Sequence, residues 1–206
     1  MAHLHADGRI VTRVSGSPLL KRYLAEAEPP LGGEDPEGAA SLSVPAYIRE
    51  VAYILARKLA LQPAALSDFE WRDLERALAA ACEGLGFDTR LTRPGKDGGF
   101  DIELRCGEAR YLIEVKHWST PNRVGLGPVS HFAEIVLSEG ADRGLFLSSS
   151  GFRKPFLGQR LEITPSRIAL GDGRKIIGLC QSYVRREEGL WHPSTDLEEL
   201  LFLETT

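Results

Sequence analysis

Two short stretches decide the fold: Gly98-Gly99-Phe100-Asp101-Ile102-Glu103-Leu104-Arg105-Cys106, and Tyr111-Leu112-Ile113-Glu114-Val115-Lys116-His117-Trp118. Both alternate with the period of two that a β-strand imposes. Phe100, Ile102, Leu104 and Cys106 share one face, and Asp101, Glu103 and Arg105 share the other. In the second stretch Tyr111, Ile113 and Val115 point one way, and Leu112, Glu114 and Lys116 the other. Gly107-Glu108 between them has the form of a two-residue turn that takes glycine first. That turn pairs Cys106 with Ala109, and counting back pairs Ile102 with Ile113 and Asp101 with Glu114.

Directly opposed residues of such a hairpin hold their Cβ atoms about 4.5–5.5 Å apart. Two like charges that close are unfavourable unless a cation sits between them, and a divalent metal is the simplest candidate. Gly99 falls opposite Lys116 and leaves it room. Two carboxylates and a lysine on one polar face suit hydrolysis of a phosphodiester: hard oxygen ligands hold Mg²⁺, which activates water and offsets developing negative charge.

The series Gly-Lys-Asp-Gly-Gly-Phe-Asp-Ile around Asp101, with Glu-Val-Lys-His-Trp around Glu114 and Lys116, resembles the PD-(D/E)xK nuclease superfamily and, within it, Mrr-like restriction endonucleases. The resemblance runs from about Ser67 to about Tyr183. It includes a helix ending near Leu85-Gly86-Phe87, a later helix, and the strand from Gly144 to Phe152. Two features are departures, the first from the superfamily's name and the second from the Mrr-like pattern, where it brings the site nearer the general nuclease one. Phe100 stands where the superfamily name has proline, and Glu114 stands where many Mrr-like proteins carry glutamine.

The resemblance implies an α/β fold with a restriction-endonuclease-like core in the order αβββαβ, a mixed central sheet flanked by helices, and a small N-terminal extension. It implies that Asp101, Glu114 and the Val115 carbonyl hold Mg²⁺, with Mn²⁺ as a substitute, and that Lys116 holds or deprotonates the attacking water. Glu70 has two readings. With Ser67 it completes a capping box, Ser67-Asp68-Phe69-Glu70; in the resemblance, a glutamate of this first helix reaches the metal site as a further catalytic carboxylate. Glu75 is a weaker alternative, expected to be exposed. Lys96, Trp118, Ser149, Arg153 and Lys154 are the candidate nucleic-acid contacts, each with a plainer reading as a solvated cation, a packed aromatic or a turn residue. The segment Arg153-Lys154-Pro155-Phe156 departs from the family's helix start, because proline disfavours helix in the residue before it. His117 faces away from Lys116 on an ideal strand and reads as a packed residue.

Composition fits one core domain with an extension: 206 residues, 43% hydrophobic and 26% charged. No run approaches the roughly 18 apolar residues of a membrane span. Residues Met1 to Ile10 lack the apolar core of a signal peptide, so a cytoplasmic location is expected. The three cysteines, Cys82, Cys106 and Cys180, are scattered in apolar surroundings and read as reduced core residues. Net charge is −4, but it is unevenly spread: Ala141 to Arg186 holds nine Lys or Arg against three acids, whereas Glu187 to Thr206 holds six acids and no Lys or Arg. The first segment can supply phosphate contacts. The second is an acidic tail that screens the basic part, folds over it, binds another chain, or is simply solvated.

The organisation expected is an extension and linker over residues 1–40, a nuclease domain over 41–186 and the tail over 187–206. Arg9 to Val14 reads as a strand, and Glu28 to Gly38 as a linker rich in breakers. Pro45 opens a helix over Ala46 to Ala60, with Tyr47, Ile48, Val51, Leu55 and Leu59 as its apolar face. Leu74, Ala77, Leu78, Ala81 and Leu85 line the next helix, and Phe87 to Arg90 starts the first strand of the core. Pro121 to Pro128 reads as a loop before a helix carrying Val129, Phe132, Ala133, Val136 and Leu137. The strand Leu145-Phe146-Leu147 is then reached by a crossover that favours parallel pairing.

These readings converge on a Mg²⁺-dependent DNA endonuclease of a prokaryotic restriction or defence setting. One site per chain cuts one strand, so a double-strand break needs a homo-oligomer or a partner protein. A non-catalytic nucleic-acid-binding or assembly module, and a nuclease for RNA or branched DNA, are the alternatives, since fold and metal site do not separate these substrates.

Overall fold

The computed structural model describes residues 2–4, 10–12, 44–92, 99–117, 122–153, 167–190 and 196–203. The chain divides into two compact units, Met1–Ser41 and Leu42–Thr206. In the first, β1 (Ala2–Leu4) and β2 (Ile10–Thr12) pair antiparallel, with His3 opposite Val11. The Glu28 to Gly38 segment lies outside the described residues.

The second unit carries α1 (Val44–Leu61), a 3-10 turn (Pro63–Asp68), α2 (Trp71–Leu85), β3 (Asp88–Leu91), β4 (Ile102–Cys106), β5 (Ala109–Lys116), α3 (Leu126–Ser138), β6 (Arg143–Ser148), β7 (Ile168–Gly171), α4 (Gly173–Glu187) and α5 (Leu197–Phe202). One five-stranded sheet runs in the order β3-β4-β5-β6-β7. β3, β4 and β5 are antiparallel neighbours, while β5, β6 and β7 are parallel. The mixed sheet flanked by helices is the expected architecture. The register is also as counted: Ile102 pairs with Ile113 and Cys106 with Ala109. Gly107 takes φ +59 in the turn, a left-handed value that glycine adopts at little cost.

Helix α3 lies on one face of the sheet. Leu112, Phe146 and Leu170 on successive strands meet its Val129, Phe132 and Val136, and Phe146 stacks edge-on between Phe132 and Phe152 at centroid distances of 5.6 and 6.1 Å. The strand at β6 is buried, as its short apolar run requires. α1, α2 and α4 pack together. The five apolar positions expected of α2 are all buried, and the helix stops at Gly86, whose φ of +105 lets its N–H cap the last turn.

Several expectations are corrected. On α1 the buried stripe is Ala52, Leu55, Ala56, Leu59 and Ala60, while Tyr47 and Ile48 are exposed; small alanines let the neighbouring helices approach closely. Leu137 is exposed at the end of α3, and that helix already begins at Leu126, inside the expected loop. The capping box does not form. Ser67 lies within the 3-10 turn that Pro63 opens, its hydroxyl donates to the Ala64 carbonyl, and α2 starts at Trp71 with Glu70 as its N-cap. Of the alternatives for the tail, folding over the domain is the one its described part adopts: Leu201 and Phe202 are buried, Glu198 bonds Tyr111 and Arg143, and the Lys175 ammonium caps the carbonyls of Leu200 and Leu203. The cysteines are all free thiols, with Cys82 and Cys180 buried.

Candidate active site

The ladder between β4 and β5 ends at Ile102 and Ile113, one residue short of Asp101. Beyond that point the Asp101 N–H donates to the Ile113 carbonyl at 2.9 Å, and the Asp101 carboxylate accepts the Val115 N–H at 2.7 Å. A strand's backbone N–H groups lie in the plane of the sheet. The side chain has therefore taken the place of a backbone acceptor, and its carboxylate lies at the strand end rather than standing off one face. Gly99 does not sit across from Lys116 in a strand, as counted. It adopts φ +71, and a Cβ there would collide with Ile135 of α3. Phe100 likewise packs with the cluster under α3, the face of Leu112, so the strand's alternation stops at Asp101.

Glu114 is 8% exposed and hydrogen-bonded to the Lys116 ammonium. Burial, followed by the charge of Asp101, pushes its carboxyl up to about 7 against the pull of Lys116. The two carboxylates and the lysine that the sequence singled out are thus brought together.

A third carboxylate, Glu75, lies within electrostatic reach of Asp101. This residue is 3% exposed, and its carboxyl is also pushed to about 7, by burial first and the Asp101 charge second, despite a 2.5 Å ion pair with Arg72. Glu75 was expected to be exposed. Glu70 instead is exposed at the helix N-cap, where its carbonyl accepts the N–H groups of Asp73 and Leu74 and its side chain makes no cap bond. Glu75 is buried because it sits beside Leu74 and Leu78 on the buried side of α2. The signal was present in the sequence, since Glu75 lies one residue after Leu74 and three before Leu78 on the buried stripe.

His117 ties the end of β5 to its surroundings. Its Nε2 lies 2.7 Å from the Phe69 carbonyl and its Nδ1 2.8 Å from the Ser149 hydroxyl. A carbonyl only accepts, so the Nε2 carries the proton. Ser149 N–H in turn donates to the Lys116 carbonyl at 3.1 Å. The other two hydroxyls of the strand end are used internally, Ser148 on the Gly151 carbonyl and Ser150 on that of Asn122. Beside Ser149 opens a cavity of about 500 Å³ whose lining includes Arg123, Ser150, Phe152 and Arg174. Arg153 is exposed at its side, its guanidinium donating to the Arg123 carbonyl at 3.3 Å. Lys96, Trp118 and Lys154 lie outside the described residues.

Residues 66–180, more than half of the chain, match the family model Mrr_cat, restriction endonuclease. The chain belongs to the Mrr-like restriction endonuclease family. Its core is a nuclease domain. A curated relative, the uncharacterized protein y4cE of Sinorhizobium fredii (strain NBRC 101917 / NGR234), is 41% identical over 159 residues, covering 75% of this chain. The chain spans 41% of that relative's length. Among solved structures, the DNA modification-dependent restriction endonuclease AspBHI is similar at 19% identity and a TM-score of 0.42, over 95% of this chain and 51% of that one. The MspJI restriction endonuclease in complex with a 27-mer oligonucleotide is similar at 17% and 0.35, over 78% and 36%. The protein of unknown function AF1548 is similar at 18% and 0.41, over 62% and 74%.

An Mrr-like nuclease implies a divalent metal, and the donors present fit one. Asp101 and Glu114 offer hard carboxylate oxygens, and their mutual repulsion is what a cation relieves. Among the described residues, no three His, Cys, Asp or Glu side chains gather closely enough to hold an ion by themselves. Two carboxylates, a backbone carbonyl and water suit Mg²⁺, which keeps several waters when bound. Among the described residues, no helix is long and apolar enough to cross a membrane.

Proposed function

We propose that this Mrr-like domain is a Mg²⁺-dependent endonuclease that hydrolyses DNA phosphodiester bonds, in the cytoplasm of a prokaryote and in a restriction or defence role. The observation that carries the reading is the meeting of Asp101, Glu114 and Lys116 at the end of the β4–β5 hairpin of a nuclease family member.

In this reading Asp101 and Glu114, with the Val115 carbonyl, hold the metal. When bound, the ion supplies Lewis-acid polarisation of the phosphate and lowers the pKa of water. The remaining work falls to the protein's own groups. The Val115 N–H fixes the Asp101 carboxylate before any ligand arrives, so little reorganisation is needed on binding. Lys116 is held by Glu114 and places a positive charge where the attacking water and the pentavalent phosphate develop negative charge. Glu75 is the buried carboxylate next to Asp101 and orders the water shell on that side; Glu70 stands at the exposed start of the same helix and is the further candidate. His117 holds the strand end that carries Lys116. Ser149 and Arg153 are the described candidates for contact with the DNA backbone, joined in this reading by Lys96, Trp118 and Lys154.

One site per chain cuts one strand. Cleavage of both strands therefore uses a second copy or a partner protein. Titration calorimetry with Mg²⁺ tests the metal assignment: the parent binds, and Asp101→Asn loses most of the affinity with an unchanged far-UV spectrum. Equal binding by the two proteins would refute it.

A further inference from the structure

Trp71, the first residue of α2, is 52% exposed, the most exposed aromatic side chain among the described residues. An indole left half in water forgoes a large part of the apolar burial that tryptophan normally contributes. Its place in the molecule is fixed from both sides by contacts to the candidate site. Two residues before it, the Phe69 carbonyl receives the His117 ring at 2.7 Å, next to Lys116. One residue after it, the Arg72 guanidinium donates to the Thr92 carbonyl at 2.8 Å, and the Thr92 N–H donates to the Asp101 carbonyl at 2.9 Å. One helical turn on, and therefore on the same face as Trp71, Glu75 is buried in the field of Asp101 and Lys116. The start of α2, which carries the exposed indole, is thereby held beside the candidate carboxylates by two hydrogen-bonded contacts, with the buried Glu75 one turn along the same face.

We infer that Trp71 is a stacking platform for a nucleobase beside the scissile phosphate, and that the enzyme favours nucleic acid in which that base is unpaired. This rests on the nuclease reading and sharpens its substrate. A planar π-face at the rim of a phosphodiester site meets bases or sugars, and stacking on a base is worth enough to matter irrespective of its identity. Bases within an intact duplex have both faces covered by their neighbours, so the platform engages only a base that has left the stack: in a single strand, a bulge or a flap. No backbone tether above depends on the indole itself, so replacing it leaves the fold in place.

The test measures binding in the full chain carrying Lys116→Ala, with Mg²⁺ present, against four labelled oligonucleotides: a perfect duplex, a single strand, a duplex with a one-base bulge, and the same bulge made abasic. Trp71→Ala is expected to weaken single-strand and bulge binding by roughly 5- to 150-fold, the range that base–aromatic stacking spans. Trp71→Phe recovers most of it. Perfect duplex and abasic bulge bind with less than about a threefold change, within the same conversion of free energy to affinity. If the protein with Trp71 intact binds and Trp71→Ala matches it on all four, the inference fails while the nuclease reading stands. If Trp71→Ala weakens all four alike, Trp71 is a general contact and base stacking is overturned. If the protein with Trp71 intact binds none of them, the nuclease reading and this inference fall together.

Discussion

The carboxylate of Asp101 accepts the backbone N–H of Val115 at 2.7 Å, across the point where the β4–β5 ladder gives out. A single side chain thus closes the hairpin and presents a carboxylate to the site. The two roles separate by substitution. Asp101→Asn keeps an oxygen acceptor for Val115 and is expected to unfold within about 1 kcal/mol of the parent, whereas Asp101→Ala leaves that N–H without a partner and costs about 1–3 kcal/mol. Both are expected to lose at least about a hundredfold in turnover, the scale of removing one electrostatic group from a phosphoryl or acyl transfer site. Urea melts and initial cleavage rates check the pair together.

Glu75 and Glu70 lie on one helix start but in different surroundings, one buried beside Asp101 and the other exposed. Glu75→Gln is expected to lower turnover by at least about tenfold, a modest share of what a positioned acid–base group contributes. Glu70→Gln is expected to change it less. Single-turnover rates at saturating DNA give the comparison, and a larger loss at Glu70 would return the role to that residue.

The fold was legible in the sequence to the extent that it depends on period and turn chemistry. Alternation plus the Gly107-Glu108 turn gave the hairpin register to the residue, and the crossover length gave parallel pairing of β5 with β6. Local signals misled where a competing local structure won. Ser67 and Glu70 have the spacing of a capping box, but Pro63 starts a 3-10 turn that consumes Ser67, which leaves Glu70 as an exposed N-cap while Glu75, on the buried side of the helix, is the carboxylate nearer Asp101. Extending the strand alternation through Asp101 placed Phe100 and Gly99 on the wrong side, because the side chain of Asp101 itself ends the ladder. The docking of α5 depends on contacts 55 and 87 residues apart in the chain, Arg143 with Glu198 and Tyr111 with Glu198, which no short pattern encodes.

Phe202 anchors that docking: its ring meets Tyr111 edge-on at 5.4 Å and lies 3.7 Å beneath the Arg143 guanidinium. Phe202→Ala is expected to cost about 3–5 kcal/mol in a chemical melt. Glu198→Ala, at the exposed edge of the same contact, is expected to cost about 1 kcal/mol or less.

Asp172 caps α4, accepting the Arg174 N–H at 2.9 Å. Burial alone would raise its carboxyl, but hydrogen bonds and charge from Arg174 outweigh burial and hold it below the ordinary value. The folded state therefore binds this proton less readily than the unfolded chain, so the cap's contribution is full above the unfolded pKa of about 3.9 and is lost as pH falls through the lower folded value. Asp172→Ala is expected to cost about 1 kcal/mol at neutral pH, with the gap to the parent closing on acidification. Melts of both proteins at neutral and strongly acidic pH measure it.

The most direct measurement is cleavage of supercoiled plasmid DNA by the purified chain in Mg²⁺, beside its Lys116→Ala variant. The account predicts strand breaks by the parent, none in EDTA, and a rate for Lys116→Ala lower by at least about a hundredfold. Equal cleavage by Lys116→Ala, or none by the parent in either Mg²⁺ or Mn²⁺, would contradict it.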